Sequence, residues 1–413
     1  MKISHFTLAL LFVSIGSIQA QNAGCDGTRY KDDVFQTVKK STVMYAPTLG
    51  HLGDIQNLQM DVYEPVGDLI AARPVVILAH GGSFAFGDRT MMERWCRLLA
   101  KKGYVAATIS YRLYPWFALG FPDSLGIFDT AVKAVGDMRA AVRYFRQDAA
   151  TTNLLKVDAA HIFIGGFSAG AVTALHCSYL DANDDMPTFL QTIIANNGGL
   201  EGVSGTALNK TFSSSTEAIV NMSGGLYRSF WIDPTEVPIV SIHGTADGTV
   251  PYVSGLAANI AYLQGSSLLH ARANDIGLWN SLHTVPGADH TNLYDDAVYQ
   301  PHVDTFWVNA TALLESLTCA TVGVQAPSIV ETNWSVSPNP NDGNQVRLHL
   351  PLEVKVADVQ FLNMLGAVVF QTKNIGDNGL VSIPALAKGV YFIQLTDPNA
   401  PEKRFAAKKL VVE

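Results

Sequence analysis

The stretch from His161 to Ala171 constrains the fold of this chain more than any other. An apolar, β-prone run, His161 to Ile164, stops abruptly at small residues, and Ala169 to Leu175 then reads as the start of a helix. Within the junction lies Gly166-x-Ser168-x-Gly170, the pattern of a nucleophile elbow. A strand that turns at once into a helix forces its middle residue into a strained backbone conformation and lifts the hydroxyl clear of the sheet. The residues two before and two after must then be nearly free of side chain to avoid clashing with each other. The helix N-terminus just beyond offers free N–H groups and the positive end of a dipole. Taken alone, the pattern also describes a Gly/Ser turn between a strand and a helix. Its meaning rests on its surroundings.

Those surroundings alternate strand and helix from about residue 57 to 317. Asn57 to Glu64 has period two and stops at Pro65, and Phe35–Tyr45 is a candidate edge strand before it. Pro74–Ala79 is a continuous apolar run, as expected of a strand buried on both faces. Met91–Ala100 carries helical spacing, Tyr104–Tyr111 is a strand, and Phe128–Arg146 is a long amphipathic helix. After the elbow, Thr192–Asn196 and Ala218–Met222 read as short strands, Val237–Ile242 as a buried strand, and Gly255–Leu263 and Leu268–Ile276 as helices. Ser281–Val285 is the last strand and Val298–Leu317 a closing helix. This alternation predicts an α/β fold with a mostly parallel sheet flanked by helices. From Ser337 onward helical periodicity gives way to short alternating runs separated by turn signals such as Pro338 to Gly343, which predicts a small all-β sandwich.

A serine hydroxyl needs a base, and the base needs an orienting carboxylate. Ser168, Asp247 and His290 occur in the order nucleophile, acid, histidine, each directly after a predicted strand, where the loops of an open α/β sheet gather. Asp289 is adjacent to His290, and adjacent side chains rarely point together, so it reads as a loop cap. His243 and His283 lie on or at the ends of strands and read as structural. His80-Gly81-Gly82-Ser83 follows the buried strand Pro74–Ala79, and its glycines let backbone N–H groups face a developing oxyanion. Gly82, Ser83 and Ala169 are the candidate donors, and His80 reads as a brace for the loop. Phe84, Trp116 and Phe167, with Phe117, are the candidates to line a substrate site.

The chain has 413 residues, 48% of them hydrophobic and 15% charged, enough for one large domain and a smaller one. Its 28 Lys and Arg against 36 Asp and Glu give a formal charge of −8, which argues against a nucleic-acid footprint. Lys2, the apolar run Phe6–Ile15 and a small residue at Ala20 form an export signal with cleavage expected before Gln21. No other run is long and apolar enough for a membrane span. Export permits disulfides. Cys25 and Cys319 bracket one domain and are a candidate pair, whereas Cys96 and Cys177 sit in apolar helical patterns and read as buried thiols. No Cys/His spacing argues for a metal, and the chemistry sketched above needs neither metal nor organic cofactor. The resulting division is 1–20 signal, 21–319 catalytic domain, 320–336 linker and 337–413 β-sandwich.

Two resemblances follow. Asp61-Val62-Tyr63-Glu64-Pro65, His80-Gly81-Gly82-Ser83-Phe84, Tyr111-Arg112-Leu113, Gly166-Phe167-Ser168-Ala169-Gly170, His243-Gly244-Thr245-Ala246-Asp247 and Gly287-Ala288-Asp289-His290 resemble the signature pieces of secreted carboxylesterases of the α/β-hydrolase superfamily. The resemblance implies a serine esterase with Ser168, Asp247 and His290 as triad. Hormone-sensitive-lipase-like esterases carry a third glycine where this chain has Ser83. At the other end, Pro338-Asn339-Pro340, Gly389-Val390-Tyr391 and Lys408-Lys409-Leu410-Val411-Val412 resemble the sorting domain of type IX secretion cargo in Bacteroidota. That implies the type IX secretion machinery as a partner and a secreted or cell-surface product.

The expected activity is hydrolysis of carboxylic esters, with acetyl or feruloyl groups on polysaccharides, aliphatic esters and polyesters all open as substrates. A serine peptidase of the same fold is the rival enzyme, but the propeller domain and acidic anchors usual in secreted dipeptidyl-type peptidases are not found. A non-catalytic adhesion module is the third reading, and such modules typically lose the serine or histidine that this chain retains.

Overall fold

The computed structural model describes residues 24–319, 329–330 and, with short gaps, 334–412. The export signal and most of the linker lie outside the described residues. Those described fall into two compact units, one within residues 20–320 and one from 321 onward.

In the larger unit the strands are β1 (Val38–Leu49), β2 (Ile55–Pro65), β3 (Arg73–Ala79), β4 (Val105–Ile109), β5 (Val157–Phe167), β6 (Ile219–Met222), β7 (Gly225–Leu226), β8 (Ile239–Gly244), β9 (Ser254–Ala257), β10 (Ala261–Gly265) and β11 (Asn280–Val285). The helices are α1 (Glu93–Lys101), α2 (Trp116–Leu119), α3 (Ser124–Ala150), α4 (Ala169–Tyr179), α5 (Thr188–Asn196), α6 (Ser266–Asp275), α7 (Asn292–Asp295) and α8 (Gln300–Thr318). Eight strands form one sheet in the order β1-β2-β4-β3-β5-β6-β8-β11. β1 and β2 run antiparallel to their neighbours, and every pairing from β4 to β11 is parallel. The expected α/β-hydrolase sheet, mostly parallel with helices on both sides, is present.

Strand alternation assigns the two faces. Val75, Ile77, Ile162 and Ile164 point to the side covered by α3 and α4. Val76, Leu78, Phe163 and Val240 point to the side covered by α1 and α8. Register then decides where the loops emerge. Ala79 pairs with Gly166, Phe167 with Met222, Met222 with Ile242, and Gly244 with Val285. Because these strands are parallel and end nearly level, the loops after β3, β5, β8 and β11 leave from one edge.

Buried polar pairs hold the frame behind that edge. Arg112, in the loop after β4, lies against Asp137 of α3 at 2.8 Å and also donates to the Leu49 and Lys133 carbonyls and to Ser204. Cys25 and Cys319 form a disulfide that ties the two ends of the unit, and Cys96 and Cys177 are buried free thiols.

Two segments differ from expectation. Thr192–Asn196 is the last part of α5 and not a strand. Its β-branched Thr192, Ile193 and Ile194 favour strand locally, but Leu190 and Ile194, one helical turn apart, bury together in the core, and packing overrides propensity. Gly255–Leu263 is not a helix but the hairpin β9–β10. Ala258 and Asn259 both take positive φ, 49° and 58°, which gives the tight turn whose twist matches two antiparallel strands.

The smaller unit has two sheets. Ser335–Ser337, Gln345–His349 and Gly379–Ser382 make one, and a larger sheet centres on Val356–Leu362 and Gly389–Asp397. Val346, Leu348 and Val381 of the first share a core with Val359, Phe361 and Ile393 of the second. This is the expected all-β sandwich.

Candidate active site

Ser168 sits between β5 and α4 with φ 55° and ψ −121°, the strained conformation expected at the turn. Its amide donates to the Met222 carbonyl at 2.9 Å, and its carbonyl accepts from Val172 within the new helix. The flanking glycines are required for a reason beyond mutual clash. A Cβ on Gly166 would stand 2.5 Å from the Ala79 oxygen and 2.6 Å from the Gly170 carbonyl carbon. A Cβ on Gly170 would overlap the Ala79 carbonyl. The elbow is therefore pressed against the end of β3, and the oxyanion-loop candidates start one residue further on.

His290, in the loop after β11, places Nε2 2.8 Å from Ser168 Oγ and Nδ1 2.6 Å from Asp247 Oδ2. With Nδ1–H donated to the carboxylate, Nε2 is left as the acceptor of the serine proton. The Phe167 ring stacks on His290, centroids 5.0 Å apart, and Tyr294 meets Phe167 edge-on. Asp247 Oδ1 accepts from the Thr249 and Val250 amides at 2.9 and 2.8 Å. Burial alone would raise the Asp247 pKa, but hydrogen bonds from His243 and His290 outweigh it and hold the carboxyl well below its usual range. Asp247 is thereby held as the anion at neutral pH.

His243 is the residue whose place the sequence did not foretell. Its Nε2 lies 3.2 Å from Asp247 Oδ2 and 3.0 Å from the Val250 carbonyl, two acceptors, so Nε2 carries hydrogen. Nδ1 then accepts from Ser266 Oγ at 2.8 Å. Asn221 donates to both Ser266 and Ser241, and Ser241 reaches His270 Nε2 at 2.7 Å. His270 closes the series by donating from Nδ1 to Asn280. Each of these buried groups thus has its partner. The only sequence signal was the position of His243 four residues before Asp247, at the end of β8.

On the other flank, Gly82, Ser83 and Phe84 have φ values of 119°, 51° and 60°. This left-handed run is closed by the Ala85 and Phe86 amides on the Gly82 carbonyl and by Tyr114 on the Phe84 carbonyl. A left-handed conformation costs a residue with a Cβ about 1–2 kcal/mol, which Ser83 and Phe84 both bear here. Among the described residues, the Gly82, Ser83 and Ala169 amides have no acceptor. A Cβ on Gly81 would stand 3.1 Å from Ser168 Cβ, so this loop abuts the serine directly. His80 braces it: the ring stacks on Tyr111 and Nδ1 lies 2.7 Å from the Gly81 carbonyl.

Of the aromatic candidates, Phe84 borders a narrow cavity of about 90 Å³ that opens beside Ser168 and Ala169. Phe167 instead backs His290. Trp116 lies in a separate surface groove with His51, Leu52 and Tyr114, stacked on Phe121 and beside Phe86, and Phe117 next to it is exposed. Among the described residues no group of three or more His, Cys, Asp or Glu is placed to hold a metal ion. Nor is any helix among them long and apolar enough to cross a membrane.

Residues 60–225 match the family BD-FAE, and residues 335–413 match the family described as secretion system C-terminal sorting domain. Among solved structures the chain is similar to Thermogutta terrifontis esterase 2 phosphorylated by paraoxon, at 20% identity over 64% of this chain and 91% of that one, TM-score 0.46. It is also similar to the butyrate-bound form from the same Planctomycetes species, at 20% identity over 72% and 100%, TM-score 0.47. No curated protein matches the chain. The sorting domain indicates export through type IX secretion to the cell surface or the extracellular medium. The chain thus matches the BD-FAE family over the elbow-bearing part of its sheet and a secretion system C-terminal sorting domain at its other end.

Proposed function

We propose that the protein hydrolyses carboxylic esters through a Ser168–His290–Asp247 triad and an acyl-enzyme intermediate. The observation that carries this reading is the unbroken hydrogen-bond path from Ser168 Oγ through His290 to Asp247, beside three unengaged amides. As Ser168 Oγ attacks the ester carbonyl, His290 Nε2 takes its proton, and Asp247 holds the tautomer and stabilises the imidazolium. The carbonyl oxygen becomes an oxyanion facing the Gly82, Ser83 and Ala169 amides, an arrangement in which each donor is worth a few kcal/mol of barrier. His290 then returns the proton to the leaving alkoxide. The same steps with water as nucleophile release the acid and restore the serine.

The test is hydrolysis of a p-nitrophenyl ester series by wild type and Ser168→Ala. Loss of kcat on the order of 10⁵–10⁶-fold in the variant is expected. Equal turnover by both proteins, or none by wild type, would remove the esterase mechanism and favour the peptidase or adhesion readings.

A further inference from the structure

On the reading that Ser168 is the nucleophile, we infer that the substrates are esters of linear aliphatic acids of medium to long chain, and that the acyl tail lies in the cavity between α3 and α4. The tetrahedral intermediate has four substituents with four destinations. One is Ser168 Oγ, and the oxyanion faces the amides. The leaving oxygen must face His290 Nε2, which returns its proton. The acyl chain takes the direction that remains. Ser83, Phe84, Ser168 and Ala169 border the cavity, as do Thr249 and Val250 of the loop after Asp247, whereas His290 and the rings behind it, Phe167 and Tyr294, do not. The cavity therefore receives the acid part of the ester and not the alcohol.

Its length excludes an acetyl group as the best fit. Ala169, Val172 and His176 of α4 and Leu180 just beyond it all border the cavity, and at 1.5 Å per residue the first three alone span roughly 10 Å along the helix. Across from them Phe128, Ala131, Val132 and Val135 of α3 form the other wall. An acetyl ester would leave nearly all of this surface unused.

Its chemistry points to hydrocarbon. The wall is almost wholly carbon. Its one histidine, His176, is spent on backbone: Nδ1 donates to the Val172 carbonyl at 2.8 Å, and Nε2 accepts from the Tyr227 amide at 3.2 Å. The ring thus shows the cavity carbon and no free polar atom. A narrow apolar channel suits a flexible alkyl chain better than a rigid aromatic acid that carries a phenolic hydroxyl.

The experiment compares kcat/KM of the full-length protein for the p-nitrophenyl esters of acetate, butyrate, octanoate, dodecanoate and ferulate, in wild type, Ser168→Ala and Ala131→Phe. Each methylene buried in the channel is worth up to roughly fourfold, so octanoate should exceed acetate by at least about tenfold. Octanoate should also exceed ferulate. Ala131→Phe puts a ring into the channel from its α3 wall and should lower the octanoate-to-acetate ratio by about tenfold or more. Val132→Phe serves as the second variant if thermal unfolding shows that Ala131→Phe does not fold. A wild type that prefers acetate or ferulate, or an unchanged ratio in a folded variant, overturns the inference. If that preference is abolished by Ser168→Ala, the triad mechanism stands and only the acyl assignment falls. Turnover that persists in Ser168→Ala, or absence of turnover on every ester, takes both down together.

Discussion

The two flanks of Ser168 are built on opposite principles. On the His290 side, every buried nitrogen and oxygen from Asp247 through His243, Ser266, Asn221, Ser241 and His270 has a partner at hydrogen-bond distance. On the cavity side, the wall is carbon, and the one imidazole there is satisfied by backbone. Hydrogen bonds are directional and costly to leave unmade when buried, so the first flank fixes a single geometry. Apolar contact is non-directional and tolerates changes of shape at modest cost. The difference teaches where each property of the enzyme resides. Rate should respond to substitutions on the polar flank, and substrate preference to substitutions on the apolar one.

The sharpest break of this contrast is Asp247→Asn. His243 and His290 share Oδ2 while Oδ1 accepts from the Thr249 and Val250 amides. An amide must therefore turn its NH2 toward donors on one side, the favoured His290 tautomer is lost, and kcat should fall by about 10⁴-fold with the fold intact. Circular dichroism alongside ester kinetics checks both halves. A drop of less than tenfold would mean that the polar flank does not set the rate.

A histidine on the apolar flank should instead show itself in stability. Burial lowers the His176 pKa from 6.5 to about 4. Between those values the unfolded chain binds a proton that the native state does not, so the contribution is complete above pH 6.5 and is lost as pH falls toward 4. His176→Leu should therefore flatten part of the acid loss of unfolding free energy over that window, by at most about 3 kcal/mol. His270, lowered to about 4 mainly by burial, keeps its own share of the acid sensitivity in the variant. Unfolding curves at pH 7, 5.5 and 4 measure it, and identical acid slopes for variant and wild type would contradict the assignment.

The smallest expected effect is at His243, which touches no reacting atom and acts through Asp247. A hydrogen bond to a charged group is worth about 1.5–3 kcal/mol at most, and His243→Asn should lose only part of that, roughly a tenfold fall in kcat. KM should change little, since His243 itself does not border the cavity and meets it only through the Val250 carbonyl. A change in KM with constant kcat would show that His243 shapes binding and not the carboxylate.

Much of the site's layout could be read from residue types at strand ends. Gly166-x-Ser168-x-Gly170, Asp247 and His290 each follow an apolar run, and parallel strands in register bring such ends to one edge. The glycines around Ser168 could be inferred from steric need, although the part of Ala79 in that need appears only when β3 lies beside β5. Local composition misled at α5, where β-branched residues form a helix because Leu190 and Ile194 bury together, and at β9–β10, where an Ala/Leu-rich run turns back at Ala258–Asn259.

By itself the sequence determined the alternation of strands and helices, the order of serine, acid and histidine, and the change to short β-runs after the catalytic unit. These depend on periodicity and on residue types at fixed offsets, which a linear chain carries in full. Only the tertiary structure decided that His243 shares Asp247 with His290 and that a channel is left where α3, α4 and the β9–β10 hairpin meet. Ile127, Ala131 and Val135 repeat at the spacing of any core-facing helix, so nothing local separates a wall that packs from a wall that lines a cavity. That distinction is a property of the space between two helices, and it exists only once both are in place.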